Sequence, residues 1–357
     1  MLLRLVASMV GALRLAIVNE GLKLVATIPA FVDVAGRLSL PPEPLADWTG
    51  AVGRQGYPIE FEYDDLEHQV QLVAGTVHHT LAVVAGDEAP GEDAVDESEQ
   101  RAILRIPAGR LKVALDRLAP VQALVVAGGM PAETALDLDA DGRLTLVTTD
   151  TVRMAMVDLP DARVDGADLS GRSWVFRNAD LKVMAAVLNG KTRAGTDVSL
   201  ALGEKTWTAW WSHYVMTAPY SERTFPKWRS VRPQSYTNTI EVDGAELHER
   251  LQMLAKVADD NRAAVRFRWN GSTEAIMAAG NGEAGTETTA TLGLTWRTRA
   301  APADTELVMS ARYLEPLVKR LGHGPLLFCF TAAALPAMVR SAGNELGVEY
   351  LQMPINL

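Results

Sequence analysis

The feature that most constrains this chain is a hairpin unit that recurs along it. From Leu136 to Val157 the chain places apolar residues at alternate positions, interrupts them at Asp141-Gly142, resumes through Leu144 and Leu146, and turns again at Thr149-Asp150. Alternation broken by an Asp-Gly pair is the local signature of two antiparallel strands and their turn. The same layout surrounds Asn19-Glu20-Gly21, and Val265 to Gly271 opens it a third time. The turns recur at roughly 120 to 130 residues, too far apart for a solenoid unit and suited to a repeated domain.

The repeats share a recipe of strand, helix and hairpin strands, followed by a second helix and more strands. In the middle copy a helix following Pro107 turns Leu111, Ala114, Leu115 and Leu118 inward, and a second, from about Asn178, uses Leu181, Met184, Ala185 and Leu188 before Gly190. In the last copy Asp243 and Glu246 suggest a capping box, and Ser310 reads as the cap of a helix that Gly322 ends. The first copy lacks the opening strand and helix, because few residues precede its hairpin. The acidic, breaker-rich run 86–100 reads as a linker. Boundaries at 1–98, 99–233 and 234–357 follow, with an α+β fold of three repeats.

Composition narrows the function. A net charge of -10 means that any nucleic-acid contact needs a local basic surface. The single cysteine, Cys329, lies in an apolar run and suits a reducing, cytoplasmic setting. Residues 1–18 imitate a secretory leader, but Arg14 cuts the apolar run, and no stretch is long enough to span a bilayer. No phosphate loop, zinc motif or nucleophile elbow is present in the sequence, so no enzyme, cofactor or metal is expected. His78-His79 point to opposite faces of a strand, and Asp137, Asp139 and Asp141 lack the glutamate that closes a calcium loop and read as carboxylates flanking the turn.

Three segments carry a resemblance: Val147-Thr-Thr-Asp-Thr-Val-Arg-Met-Ala155, Arg223-Thr-Phe-Pro-Lys-Trp-Arg-Ser-Val-Arg-Pro233, and Tyr350-Leu-Gln-Met-Pro-Ile-Asn-Leu357. In order and at this spacing, they resemble the bacterial DNA sliding clamps, the beta subunits of the DNA polymerase III holoenzyme. The resemblance implies three clamp domains per chain, with helices on an inner face and antiparallel sheets on an outer face, closed head to tail as a homodimer around duplex DNA. It implies a non-catalytic subunit that tethers the DNA polymerase III alpha subunit and the clamp loader.

By position it implies a peptide-binding cleft of Thr149, Thr151, Val152, Arg153, Met154, Pro226, Ser230, Val231, Ala334, Pro336, Met353, Pro354, Ile355 and Asn356. Met154, Val231, Pro336 and Met353 would supply the apolar walls, with Arg153 and the backbone near Pro354 orienting the peptide. Arg110, Lys112, Arg117, Lys182, Arg250, Lys319 and Arg320 would face DNA, and His79, Leu81 and Val257 would lie at the dimer contact. Thr151-Val152 stand where the family has Gly-His, Ser230 where it has arginine, and Asn356 where it has the penultimate arginine. A sheet-rich protein that binds peptides or envelope components without DNA remains the competing expectation.

Overall fold

The computed structural model describes residues 3–9, 11–84, 102–122, 133–166, 169–188, 195–258, 263–270, 273–281, 286–300, 306–343 and 347–355. The linker 86–100, the Gly190 helix end, the turn at Gly271 and Asn356 lie outside them. The chain opens with β1 (Leu3–Ser8), β2 (Ala12–Asn19), β3 (Leu22–Pro29), β4 (Gly36–Leu40), α1 (Pro42–Val52), β5 (Glu60–Asp64), β6 (Gln69–Ala74) and β7 (Val77–Ala82). Next come β8 (Ala102–Pro107), α2 (Ala108–Gln122), β9 (Glu133–Leu138), β10 (Leu144–Thr149), β11 (Arg153–Asp158), β12 (Arg163–Gly166), β13 (Ser173–Phe176) and α3 (Asn178–Val187). They are followed by β14 (Asp197–Leu202), β15 (Thr206–Trp211), β16 (Tyr214–Pro219) and α4 (Trp228–Val231). The last part holds β17 (Asn238–Asp243), α5 (Gly244–Ala255), β18 (Ala264–Asn270), β19 (Glu274–Asn281), β20 (Thr286–Thr298), β21 (Glu306–Ser310), α6 (Ala311–Leu321), β22 (Pro325–Phe330), β23 (Ala337–Ser341) and β24 (Val348–Gln352).

Two compact units emerge. The first holds a nine-stranded sheet, ordered β12-β8-β14-β15-β16-β3-β2-β1-β4, and the small sheet β5-β6-β7. Its hairpin β2–β3 closes through Glu20 and Gly21, both at positive φ (47° and 82°), the mirror-image turn that suits the right-handed twist of the strands. Leu45, Trp48 and Val52 of α1 share a core with Leu5, Leu40, Val70, Leu72 and Leu81. The leader-like residues 3–8 are strand β1, in register with β2 and β4. Alternation there is masked by apolar residues on both faces.

The second unit is built on a twelve-stranded sheet, β13-β9-β10-β11-β24-β23-β22-β17-β20-β19-β18-β21. The middle stretch of sequence therefore gives β9, β10, β11 and β13 to this sheet and β8, β12 and β14 to β16 to the other. Leu247, Leu251 and Leu254 of α5 and Leu314 and Val318 of α6 bury against Phe267, Phe328 and Phe330. Asp243 does cap α5, its carboxylate accepting from the Glu246 amide at 2.9 Å. Ser310 occupies the N-cap of α6 without a side-chain cap bond, so position alone misread its role.

α5 can begin only with a glycine. A Cβ on Gly244 would meet the carbonyl oxygens of Gly322 and Gly324, each at 2.6 Å, both in the loop leaving α6. Gly244→Ala should therefore lower unfolding free energy by about 1–3 kcal/mol through overpacking, measured by urea denaturation, whereas Gly53→Ala, with open space around it, should change it far less.

Candidate functional site

The corner before β11 is made by one carboxylate. Asp150 Oδ1 accepts the backbone amides of Val152 (3.1 Å) and Arg153 (2.6 Å), while Thr149 Oγ1 donates to the Arg153 carbonyl at 2.7 Å. This geometry forces Thr151 to φ +74°, left-handed backbone that a β-branched residue rarely adopts. A glycine would sit there without strain, so Thr151 is a costly residue at this corner.

Arg153 is placed otherwise than the sequence reading expected. It is 1% exposed, and its guanidinium points into the unit rather than toward solvent. Nε and Nη2 bond Asp150 Oδ2 at 2.8 and 2.6 Å, and Nη1 and Nη2 donate to the carbonyls of Pro120 and Val121 at 3.0 and 3.5 Å. The guanidinium carbon also lies 4.8 Å from the centre of the Tyr313 ring in α6. Pro120 and Val121 lie in the last turn of α2, where the carbonyls have no intrahelical donor and the negative end of the helix dipole sits. Arg153 supplies both the donors and the charge. Tyr350 of β24 adds a third tie, donating from its hydroxyl to the Arg117 carbonyl at 2.6 Å, and burial pushes that phenol well above its usual range. Arg153 therefore contributes only backbone to any cleft.

On their opposite face the same strands are apolar. Arg153 and Met154 are in register with Gln352 and Leu351. Met154, Met156, Leu351, Met338, Cys329, Val147 and Trp228 form one buried cluster, with Phe225 and Tyr236 against it. Burial raises the Cys329 thiol pKa, as it does the Tyr236 phenol. The 225–233 turn, too short for a helical period to show, contains the single turn α4, started by the Trp228 amide on the Pro226 carbonyl at 2.7 Å. Ser230 Oγ donates to the Lys227 carbonyl at 2.7 Å.

Asp137, read from the sequence as a turn-flanking carboxylate, is instead buried beneath α4 and accepts from Trp228 Nε1 at 3.1 Å and from Arg229 Nη1. Arg232 closes the turn onto Glu349 of β24 at 2.7 Å. The tail is tied in turn: the Met353 amide donates to the Val152 carbonyl (2.9 Å) and the Ile355 amide to that of Val308 in β21 (2.8 Å). Pro336 is buried immediately before β23, whose Ala337 pairs with Gln352, while Ala334 is exposed.

The corner, the α4 turn, the approach to β23 and the tail thus converge on the pair β11–β24. Val231 (48%), Leu335 (47%) and Met353 (37%) remain exposed large apolar side chains on these segments. Leu335 and Trp228 were missed in sequence; an apolar residue flanked by two expected cleft positions was the available signal for Leu335.

Of the basic candidates, Arg110 pairs with Asp161 (3.0 Å), Lys112 with Asp116 (2.5 Å), and Arg250 lies near Glu246 and Glu249. Arg117 is half-buried. Lys182, Lys319 and Arg320 are exposed on α3 and α6, and among the described residues no carboxylate pairs with them. His79 is half-buried and stacked on Trp48 at 5.9 Å, while Val257 is 41% exposed. Leu81, at 5% exposure, belongs to the first unit's core, so its side chain is turned away from any contact made by the edge strand β7. Among the described residues no group of acidic, histidine or cysteine side chains is arranged to hold a metal, and no helix is long and apolar enough to cross a membrane.

These features define a sheet-rich α+β protein of repeated strand and helix halves. That fold is the DNA sliding-clamp fold. The chain matches the DNA polymerase III subunit beta of Pseudomonas aeruginosa over 100% of its own length and 93% of that chain, with a TM-score of 0.81 and 20% identity. It matches the griselimycin-bound sliding clamp of the same organism (TM-score 0.83, 19% identity, 100% and 91% covered) and that of Bartonella birtlesii (0.81, 20%, 100% and 91%). No family model matches the sequence.

Replacing Arg153 with methionine strips Asp150 of its partner and the end of α2 of its donors. Loss of one member of a buried pair predicts a destabilisation of about 3–5 kcal/mol, read by chemical denaturation. A change below about 1 kcal/mol, the scale of an exposed pair, would show that the Arg153–Asp150 pair carries little stability.

Proposed function

We propose that this chain is a processivity clamp, a non-catalytic subunit that closes as a homodimer around duplex DNA and tethers partners by short peptides. The likeness to polymerase III beta clamps along the whole chain carries this reading. Three repeats, 1–98, 99–233 and 234–357, would form half of a six-domain ring, and two-fold closure supplies the other half. The backbone edge of β7 at His79 and Leu81, with the Leu81 side chain turned inward, would then meet the α5 end at Val257 of the second copy. The function needs no cofactor, and the cytoplasm is its setting.

The helices α2, α3, α5 and α6 would line the ring. A sliding ring needs phosphate attraction without base readout, and it must not hold tightly. Local ion pairs on Arg110, Lys112 and Arg250 temper their charge, leaving Lys182, Lys319 and Arg320 as the strongest phosphate contacts. Thr149, Thr151, Val152 and the apolar walls of Met154, Val231, Pro336 and Met353 would receive peptides of the DNA polymerase III alpha subunit and the clamp loader, with Pro226, Ser230, Ala334, Pro354, Ile355 and Asn356 at the rim. The peptide type is a glutamine followed by leucines and a phenylalanine. Serine at 230, in place of a long cation, widens that rim and removes a charge.

The test is retention on nicked circular DNA at low salt. The chain should stay on circles and leave when they are linearised. Lys182→Glu, Lys319→Glu and Arg320→Glu together should cut retention about tenfold or more, since each lost phosphate contact weakens binding and flattens its salt dependence. Equal retention on linear and circular DNA contradicts the ring, and an unchanged triple variant assigns these residues to another surface.

A further inference from the structure

Gln352 is the residue in this region that the cleft reading leaves unexplained. It sits in β24, between Leu351, which faces the apolar cluster, and Met353, which is partly exposed. A carboxamide here is 2% exposed, in a position where an aliphatic residue would bury more apolar surface and bring no polar side-chain atom to satisfy. Its Nε2 donates to the Ser310 carbonyl at 3.3 Å, and its Oε1 has no partner among the described residues. Buried polar groups with an orphaned atom are uncommon and call for a specific reason.

The reason lies in the three residues that follow. Ser310 is the last residue of β21 and the N-cap of α6, and Val308, two residues earlier, accepts from the Ile355 amide. Gln352 and Ile355 therefore fasten the tail to one edge strand, β21, while Met353 between them is held by the Val152 carbonyl. The Met353 side chain is left partly exposed while the backbone on either side is fixed.

We infer that Gln352 is a positioning residue for the cleft: its amide, bound to the Ser310 carbonyl, pins the tail to β21 and presents Met353 in a ready-made wall. This inference rests on the peptide-cleft reading above. A wall fixed before binding spares the peptide the cost of ordering it. The bond uses the backbone of Ser310, so its hydroxyl is dispensable to the tie.

The test compares the full chain with Gln352→Met, which keeps the volume and removes the donor, and with Ser310→Ala, which keeps the acceptor. The probe is a fluorescein-labelled peptide carrying glutamine, leucines and phenylalanine, read by anisotropy, with hydrogen exchange of the Ile355 amide read by NMR without peptide. Gln352→Met should retain its melting temperature, exchange the Ile355 amide faster and bind about tenfold more weakly, equal to about 1.4 kcal/mol. Ser310→Ala should match the parent in both readouts. Affinity within twofold of the parent, unchanged Ile355 exchange, or equal weakening in Ser310→Ala overturns the inference. If the parent itself binds no peptide, the cleft reading fails, and the exchange measurement still decides whether Gln352 holds the tail.

Discussion

A buried guanidinium holds the second unit's central strands in place. Arg153 neutralises Asp150, supplies donors to the end of α2 and lies against the ring of Tyr313. Asp150 is committed in both directions, since its other oxygen makes the corner that starts β11. Neither charge could be buried at 0–1% side-chain exposure without the other, and the last-turn carbonyls of α2 take their donors from the arginine. The strained backbone at Thr151 is held by the same carboxylate.

What this achieves is a division of labour across one strand pair. On one face, Arg153, Tyr350 and Gln352 bind the carbonyls of α2 and of the residue that starts α6. On the other, Met154 and Leu351 join Trp228 and Met338 in an apolar cluster. Strand alternation makes the separation automatic, because neighbouring residues point to opposite sides. Segments distant in sequence, from Asp137 to the tail, are then drawn to one place by single bonds onto β11, β24 and α4.

Much of the architecture was legible because it depends on local chemistry. Asn19-Glu20-Gly21 and Asp141-Gly142 announced their turns, with Gly21 and Gly142 both at positive φ, and the apolar faces of α2, α3, α5 and α6 announced helices. Short elements escaped: α4 has four residues and β12 four, below the length at which a period can be read. Side-chain direction escaped too. An arginine at a cleft corner reads as a binding group, and only the carbonyls beneath it show that its charge is turned inward. Asp137 seemed to belong to its turn because the sequence cannot show α4 lying over it, and Leu81 seemed available at a strand edge although the core of the first unit takes it. The apolar residues proposed for the cleft come together as a set only through the three resemblance segments, which lie far apart in the chain.

The central claim is that the apolar face of β11–β24 is where a peptide docks. Methionine-methyl NMR tests it most directly, because the chain has 12 methionines and four of them, Met154, Met156, Met338 and Met353, lie in the cluster or on the tail. Titration with the unlabelled peptide should shift these methyl resonances, Met353 above all, while Met216, buried in the first unit, stays still. Saturable shifts at Met216 with none at Met353 would contradict the account.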